Sequence, residues 1–210
     1  MMKIEDHGIE VFGIKPPFDA QYRFLKSEVK NILFCGGRGA GKTTMGVLKL
    51  LLMAMDPRCA GKTLGMFAPT YRQLVKIHEK QLQHFLNEFE RNAGWSLLKR
   101  HRRADHIYEF VSGCSIMCQS FESVDRVRGL SLAGAYIDEL SSAGGSGGPW
   151  YTWQVIAAAV RDTGNAPCQI FLSHTPRGYK GVTRLFVNEV LTEKNPDFQI
   201  ITCTTHDNPY

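Results

Sequence analysis

ILFCGGRGAGKT, residues 32–43, is the stretch of sequence from which we predict the fold of this chain. Its first four residues are apolar and predict a buried strand, and residues 44–55, rich in Leu and Met, predict a helix. Between them, residues 36–43 match the pattern G-x-x-x-x-G-K-S/T, which cradles phosphate when it joins a strand to a helix. The stretch therefore predicts a phosphate-binding loop, against the alternative of a glycine turn that binds nothing.

The rest of the chain alternates apolar runs with helical patterns. Strands are predicted at 63–68, 133–137, 169–172 and 198–203, helices at 18–30, 71–92, 155–161 and 182–191, and a hairpin at 107–118. This alternation predicts one α/β domain over residues 1–210, with a mostly parallel central sheet flanked by helices on both faces. We expect residues 1–15 to be an irregular lead-in. The Gly- and Ser-rich stretch 141–148 is expected to be mobile, either as a loop that nucleotide orders or as a plain linker.

Composition excludes several classes of protein. The 210 residues are 43% hydrophobic and 21% charged, as in an ordinary globular protein, and no apolar run approaches the ~20 residues that span a bilayer. The net charge of +5 permits a polyanionic partner without requiring one. Six cysteines without a C-x-x-C pair predict reduced, mostly buried thiols.

Two carboxylates follow the predicted strand 133–137. Ligands bind at the carboxyl ends of parallel strands, so Asp138 is predicted to hold Mg²⁺ together with the Thr43 hydroxyl. The adjacent Glu139 is predicted to polarise the attacking water, which favours an ATPase over a small-molecule kinase. The alternative is a surface turn that these two acids cap.

Arginines near these motifs are candidates for stabilising charge on the transferred phosphoryl group. Arg38 lies inside the loop and could act within its own subunit, whereas Arg126 or Arg128 could reach a neighbouring subunit. The alternative is that the latter two pair with nearby acids such as Glu122 and Asp125.

Two further segments are candidates for contact with the nucleotide. Ser173, His174 and Thr175 follow another predicted strand and could sense the γ-phosphate, or could simply end the strand. Gln21 has the donor and acceptor that suit an adenine edge, with Tyr22 or Phe24 able to stack, although an ordinary amphipathic helix explains the same pattern. The predicted ATP-binding residues are Gln21, Gly36, Gly37, Arg38, Gly39, Ala40, Gly41, Lys42, Thr43 and Thr44.

Basic residues cluster at 99–103, and Arg72, Lys76 and Lys80 lie on the predicted helix 71–92. They could contact the phosphates of a nucleic acid, or form a solvated loop and helix face.

Taken together, these motifs resemble the ATPase domain of the large terminase subunit of tailed bacteriophages. The residues that carry the resemblance are Gln21, the loop 36–44, Arg128-Gly129, Ile137-Asp138-Glu139, the segment 173–178 and the terminal TTHDNPY at 204–210. The family often has Thr where His174 stands.

The resemblance implies a P-loop NTPase of the additional-strand, catalytic-glutamate type, which uses ATP and Mg²⁺ to pump double-stranded DNA into a procapsid. It implies that Arg128 acts in trans within a ring, expected to hold five subunits, and that Thr175 couples hydrolysis to movement. Implied partners are the portal protein, the small terminase subunit and a nuclease domain, in the same or a separate chain, with residues 204–210 as the start of a linker. The implied location is the host cytoplasm, transiently docked on the procapsid, without a membrane. We expect no nuclease activity from these residues alone.

Two other functions remain open at this point. One is a helicase-like ATPase, against which the chain offers no second phosphate loop. The other is an ATP-switched assembly or DNA-binding subunit with little turnover, which would have no need of Glu139.

Overall fold

A computed structural model describes residues 8–210 apart from 145–146, 162–163 and 177–180. Its strands are β1 (Asn31–Gly36), β2 (Thr63–Ala68), β3 (Leu98–Arg102), β4 (Ile107–Phe110), β5 (Ser115–Ser120), β6 (Gly134–Asp138), β7 (Gln169–His174) and β8 (Phe198–Cys203). Its α-helices are α1 (Asp19–Lys26), α2 (Lys42–Ala54), α3 (Tyr71–Gln73), α4 (Lys80–Ala93), α5 (Gly148–Ala159) and α6 (Gly181–Val187). The segments Leu74–Glu79 and Asn188–Thr192 are π-helical.

All eight strands form one sheet in the order β3-β4-β5-β2-β6-β7-β1-β8. The six strands from β5 to β8 in this order run parallel, whereas β4 is antiparallel to β5 and β3 is antiparallel to β4. The strand β7 lies between β1, which leads into the phosphate loop, and β6, which ends at Asp138. The predicted mostly parallel sheet, with a strand added between these two, is confirmed.

Helices cover both faces of the sheet, and each face has its own hydrophobic core. Successive side chains of a strand point to opposite faces and so enter different cores. In β1, Ile32 and Phe34 belong to the core beneath α1, α2 and α4, whereas Leu33 and Cys35 belong to the core beneath α5 and α6. Apolar residues on both faces explain why residues 32–35 of β1 are an unbroken hydrophobic run.

Close packing of α2 places the phosphate loop against the sheet. A Cβ atom at Gly46 would collide with the ring of Tyr136 on β6, so only glycine lets this helix approach so closely. Tyr136 is fully buried at this contact and stacks on Phe171 of β7.

Several predicted boundaries were wrong. The basic run 99–103 was not assigned to a strand, yet most of it forms β3, where His101 stacks on Tyr108 of β4. Helix α5 begins at Gly148, inside the stretch predicted as loop, and α1 ends at Lys26 rather than at residue 30. Part of the lead-in belongs to the core, because Phe12 is buried against Phe85 and Phe89 of α4.

The structure also bears on membrane insertion and on the state of the cysteines. Within the parts of the chain that the structure describes, no helix has the length and apolar character needed to span a bilayer. None of the six cysteines forms a disulfide.

Candidate functional site

The predicted phosphate loop, acids and coupling residues meet at one edge of the sheet. Parallel pairing aligns Asp138 of β6 with Ser173 of β7, and Cys35 of β1 with His174. The carboxyl ends of β6, β7 and β1 are therefore neighbours, and the loop leaves β1 at this edge.

The phosphate loop is held in a closed shape by its own lysine. Lys42 Nζ donates a hydrogen bond to the Gly37 carbonyl at 2.7 Å, and the side chain is buried. Gly41 has a φ of 69°, in the left-handed region that favours glycine, where it ends the loop and precedes α2. The loop thus presents backbone N–H groups at the start of a helix, the arrangement that binds phosphate.

Gln21 contacts this loop from α1. Its Nε2 donates to the Ala40 carbonyl at 3.1 Å, and its side chain is buried. Phe24, which was predicted as a possible stacking partner for adenine, is instead in the core, where its ring stacks on Phe34. That prediction is wrong for Phe24, while Tyr22 is partly exposed, with Lys26 Nζ 4.5 Å from its ring centroid.

Asp138 receives hydrogen bonds from three different parts of the fold. Thr43 Oγ1 donates to Oδ2 at 3.1 Å, His78 Nε2 lies 2.7 Å from the same oxygen, and Ser173 Oγ donates to Oδ1. The carboxylate is almost completely buried. Burial alone would raise its pKa, but the bonds from His78, Ser173 and Thr43 outweigh burial and hold the pKa below its ordinary value.

An ionised carboxylate beside a hydroxyl is a suitable partial set of ligands for Mg²⁺. The metal prefers oxygen and is usually bound by one or two protein groups together with substrate phosphates and water. Thr43 and Asp138 offer such oxygens 3.1 Å apart, next to the phosphate loop. The described residues contain no group of three or more His, Cys, Asp or Glu placed to hold a metal ion, so substrate phosphates and water would have to complete this set.

Glu139 has a backbone conformation that turns it out of the strand direction, with φ and ψ both 47°. Its Oε1 accepts hydrogen bonds from the backbone N–H of Thr175 at 3.0 Å and from the Thr175 hydroxyl at 2.5 Å. Burial favours a higher pKa for this carboxyl, yet the contacts with His174 and Thr175 lower the pKa overall. Glu139 is therefore an anion, half-buried at the same edge as Asp138.

The candidate coupling residues touch both acids. Ser173 binds Asp138, and Thr175 binds Glu139. His174 is buried with its Nδ1 3.5 Å from Glu139 Oε2, and neither of these atoms has a hydrogen bond. Arg177 and Gly178, the end of this motif, lie outside the described residues.

The candidate arginines are exposed, unlike the buried or half-buried hydrogen-bonding residues around Asp138 and Glu139. Arg128 donates from Nε to Asp125 at 2.9 Å and from Nη2 to the Tyr151 hydroxyl at 2.9 Å, while 60% of its side chain remains exposed. The ion pair with Asp125 that was considered as an alternative is thus present. Arg38 is exposed on the phosphate loop, and Arg126 is also exposed.

Residues 204–210, which were expected to start a linker, pack against the phosphate loop. Thr205 Oγ1 donates to the Arg38 carbonyl at 2.8 Å, and Asn208 Nδ2 donates to the Gly39 carbonyl at 2.6 Å. A capping box between Thr204 and Asp207 holds this short helical turn. We call Thr204–Asn208 the C-terminal clasp.

His78 was missed by the sequence analysis, although one signal was available. It lies four residues after Leu74 and four before Leu82, both buried, so the helical period places it on the buried face. A polar side chain at such a position requires a buried partner, and Asp138 is that partner.

The strand order, the phosphate loop and the adjacent acids define a P-loop NTPase. The family model for "Terminase large subunit, T4likevirus-type, N-terminal" matches residues 33–209. The chain therefore belongs to this family, and the resemblance to the motor domain of the terminase large subunit is confirmed.

Solved structures share this fold. The large terminase of the thermophilic bacteriophage D6E has a TM-score of 0.73 at 19% identity, over 92% of this chain and 47% of that one. Its complex with ATP-gamma-S gives 0.66 at 19%, over 92% and 46%. The large terminase ATPase domain of Thermus phage P74-26 gives 0.68 at 19%, over 96% and 86%. The chain spans about half the length of the D6E protein. Among curated proteins no sequence matches.

Proposed function

We propose that this chain binds ATP with Mg²⁺, hydrolyses it, and uses hydrolysis to move double-stranded DNA into a viral procapsid. One observation supports this above all. Thr43 Oγ1 of the phosphate loop lies 3.1 Å from Asp138 Oδ2, and Glu139 follows Asp138 at the same edge of the sheet. A site that only binds nucleotide does not require the second acid. Family membership supports the role in DNA packaging.

Each residue has a distinct task in this proposal. Lys42 replaces its hydrogen bond to the Gly37 carbonyl with bonds to phosphate oxygens. Gln21, which is hydrogen-bonded to the loop at Ala40, contacts the adenine edge. Thr43 and Asp138 would hold Mg²⁺, which when bound neutralises charge on the β- and γ-phosphoryl oxygens. The bonds from His78, Ser173 and Thr43 keep Asp138 ionised and in place.

Glu139 positions the attacking water. Thr175 binds only Oε1, and Oε2 is buried 3.5 Å from His174 Nδ1 without a hydrogen bond, so Oε2 is the oxygen proposed to turn toward the water and accept its proton once ATP has entered. Release of the γ-phosphate would change the position of the Glu139 side chain. This movement would alter its contacts with Thr175 and His174. This is the proposed coupling of hydrolysis to movement.

Charge that develops on the γ-phosphoryl oxygens requires a further cation. Arg128 is proposed to supply it to the neighbouring subunit, because its guanidinium is largely exposed, and Asp125 and Tyr151 hold it in place. Arg38 is the candidate within the same subunit. The first assignment requires a ring, for which five subunits are proposed.

The proposed surface for DNA is the open edge of the sheet. β3 is the first strand in the sheet order, and Lys99 and Arg100 on it and Arg103 just after it are exposed. The contact between Tyr71 and His106 brings the start of α3, with exposed Arg72, close to the β3–β4 connection. Basic side chains on two adjoining segments suit a phosphate backbone.

The remaining proposals follow from family membership. They are docking on a portal protein, contact with a small terminase subunit, and a nuclease domain in the same or a separate chain. The proposed location is the host cytoplasm, with transient docking on the procapsid.

The test is ATP hydrolysis and ATP binding by wild-type protein, Lys42→Ala and Glu139→Gln. We expect the glutamine variant to bind ATP while its turnover falls about 10²- to 10⁴-fold, because it lacks the base. The alanine variant should lose binding. Turnover that is negligible in wild type and unchanged in Glu139→Gln would favour a nucleotide-switched subunit instead.

A further inference from the structure

We propose that His78 is a positioning residue of the nucleotide site, which orients the Asp138 carboxylate for Mg²⁺-dependent nucleotide binding. The proposal rests on the function proposed above. His78 Nε2 lies 2.7 Å from Asp138 Oδ2, the shorter of the two contacts to that oxygen. Both side chains are buried, with His78 1% and Asp138 6% exposed.

The direction of this hydrogen bond follows from its partner. An ionised carboxylate only accepts, so Nε2 of His78 donates its proton to Asp138. The other ring nitrogen, Nδ1, is 3.2 Å from the Gln73 carbonyl, five residues earlier, which also only accepts, so this second contact is a hydrogen bond when Nδ1 carries a proton as well. Contacts at both nitrogens fix the plane of the imidazole, and the ring in turn fixes the carboxylate.

The position of His78 in the fold explains what it adds. Asp138 is already bonded to Thr43 from the phosphate loop and to Ser173 from β7, on one side of β6. His78 comes from the π-helical segment Leu74–Glu79 that follows β2, the strand on the other side of β6. The carboxylate is therefore held from both sides, so its rotation about the side-chain bonds is blocked.

A π-helical segment at this point is itself informative. Such segments are rare and occur frequently at functional sites. Here the segment places two buried polar residues in succession. His78 contacts Asp138, and Glu79 contacts Tyr108 of β4 and His106, which precedes β4. Groups that orient metal ligands typically contribute 10- to 100-fold to metal affinity.

The experiment measures binding rather than turnover. The affinity of a fluorescent ADP analogue is followed as Mg²⁺ is raised, for wild type, His78→Leu and His78→Gln, together with thermal unfolding without nucleotide. Leucine has a similar size and lacks the donor, whereas the glutamine amide can donate to Asp138. His84→Leu, exposed on α4, is the matched control.

We expect His78→Leu to raise the Mg²⁺ concentration for half-maximal binding about 10- to 100-fold. Affinity without Mg²⁺ should be unchanged, His78→Gln should restore most of the effect, and His84→Leu should resemble wild type. A lower unfolding temperature with unchanged Mg²⁺ dependence would overturn the proposal, since His78 would then only support the fold.

Two further outcomes are decisive. If His78→Leu does not fold, His78→Asn is compared with His78→Gln, because the shorter amide falls short of Asp138. Equal Mg²⁺ concentrations for half-maximal binding in these two variants overturn the proposal, and a higher concentration in the asparagine variant supports it. Wild type that binds the analogue without any response to Mg²⁺ would overturn the proposed function itself.

Discussion

Thr175 donates two hydrogen bonds to a single oxygen of Glu139, one from its backbone N–H at 3.0 Å and one from its hydroxyl at 2.5 Å. The two residues come directly after neighbouring strands, Glu139 after β6 and Thr175 after β7. The proposed catalytic acid and the proposed coupling residue are thus in direct contact, so a change at one must affect the other.

Removing the Thr175 hydroxyl is expected to slow hydrolysis. In Thr175→Val the backbone bond remains, but Glu139 becomes freer to rotate, and a misplacement of about 1 Å can cost on the order of 10²-fold in rate. We expect kcat to fall about 10- to 100-fold with little change in KM for ATP, measured by phosphate release. Thr175→Ser should retain the rate. A raised KM at constant kcat would contradict this role.

Arg128 is expected to act between subunits. Activity per subunit should rise with protein concentration, and Arg128→Ala should abolish the rise and lower turnover by on the order of 10³- to 10⁵-fold while ATP binding persists. Arg126→Ala tests the other arginine considered for this role and should retain the rise, and Arg91→Ala, exposed on α4, is the control. Activity that is independent of concentration, and lost with Arg38→Ala but not with Arg128→Ala, would assign the role to Arg38 in cis.

The basic edge of the sheet is expected to contact DNA phosphates. Each neutralised contact changes the slope of log K against log salt by about 1, because bound counterions are released. Arg100→Gln with Arg103→Gln should therefore reduce the slope by about 2 in a duplex-binding titration. Arg91→Gln, exposed on α4 and paired with Glu88, should leave it unchanged. A slope equal to wild type in the double variant would exclude this surface.

The C-terminal clasp is expected to pre-organise the phosphate loop. Thr205→Val removes the bond to the Arg38 carbonyl, and a hydrogen bond contributes about 1 kcal/mol. We expect the Kd for ADP to rise about fivefold, measured by calorimetry. Thr202→Val, exposed on β8, is the matched control. Tighter binding in Thr205→Val would mean that the clasp restrains the loop instead.

Lys49 gives a pH dependence of stability. Its Nζ donates to the carbonyls of Leu25 and Ser27, and burial lowers its pKa from 10.5 to about 7. Between about pH 7 and pH 10 the unfolded chain therefore binds more protons at this site, so this group makes stability rise with pH in that window.

The measurement compares urea unfolding of wild type and Lys49→Met at several pH values. The wild type should gain stability relative to the variant as pH rises, and the difference isolates Lys49 from other groups that titrate there. Parallel pH profiles for the two proteins would show that Lys49 keeps an ordinary pKa.

The sequence by itself determined the fold and the core of the site. Residues 32–55 carry strand, loop and helix in continuous sequence, so local pattern was sufficient for them. Asp138 and Glu139 were found because they follow an apolar run, and parallel strands bring such ends together. The basic run at 99–103 was misjudged because β3 is stabilised by pairing with β4 rather than by its own apolar pattern.

Only the tertiary structure decided the contacts between distant segments. The bond from His78 to Asp138 spans 60 residues, that from Thr205 to Arg38 spans 167, and no local pattern encodes either. The core position of Phe24 likewise depends on Phe34, which the fold brings against it. The physical reason is that periodicity specifies which face of an element is buried, whereas the partner of each buried polar group depends on the order of the strands.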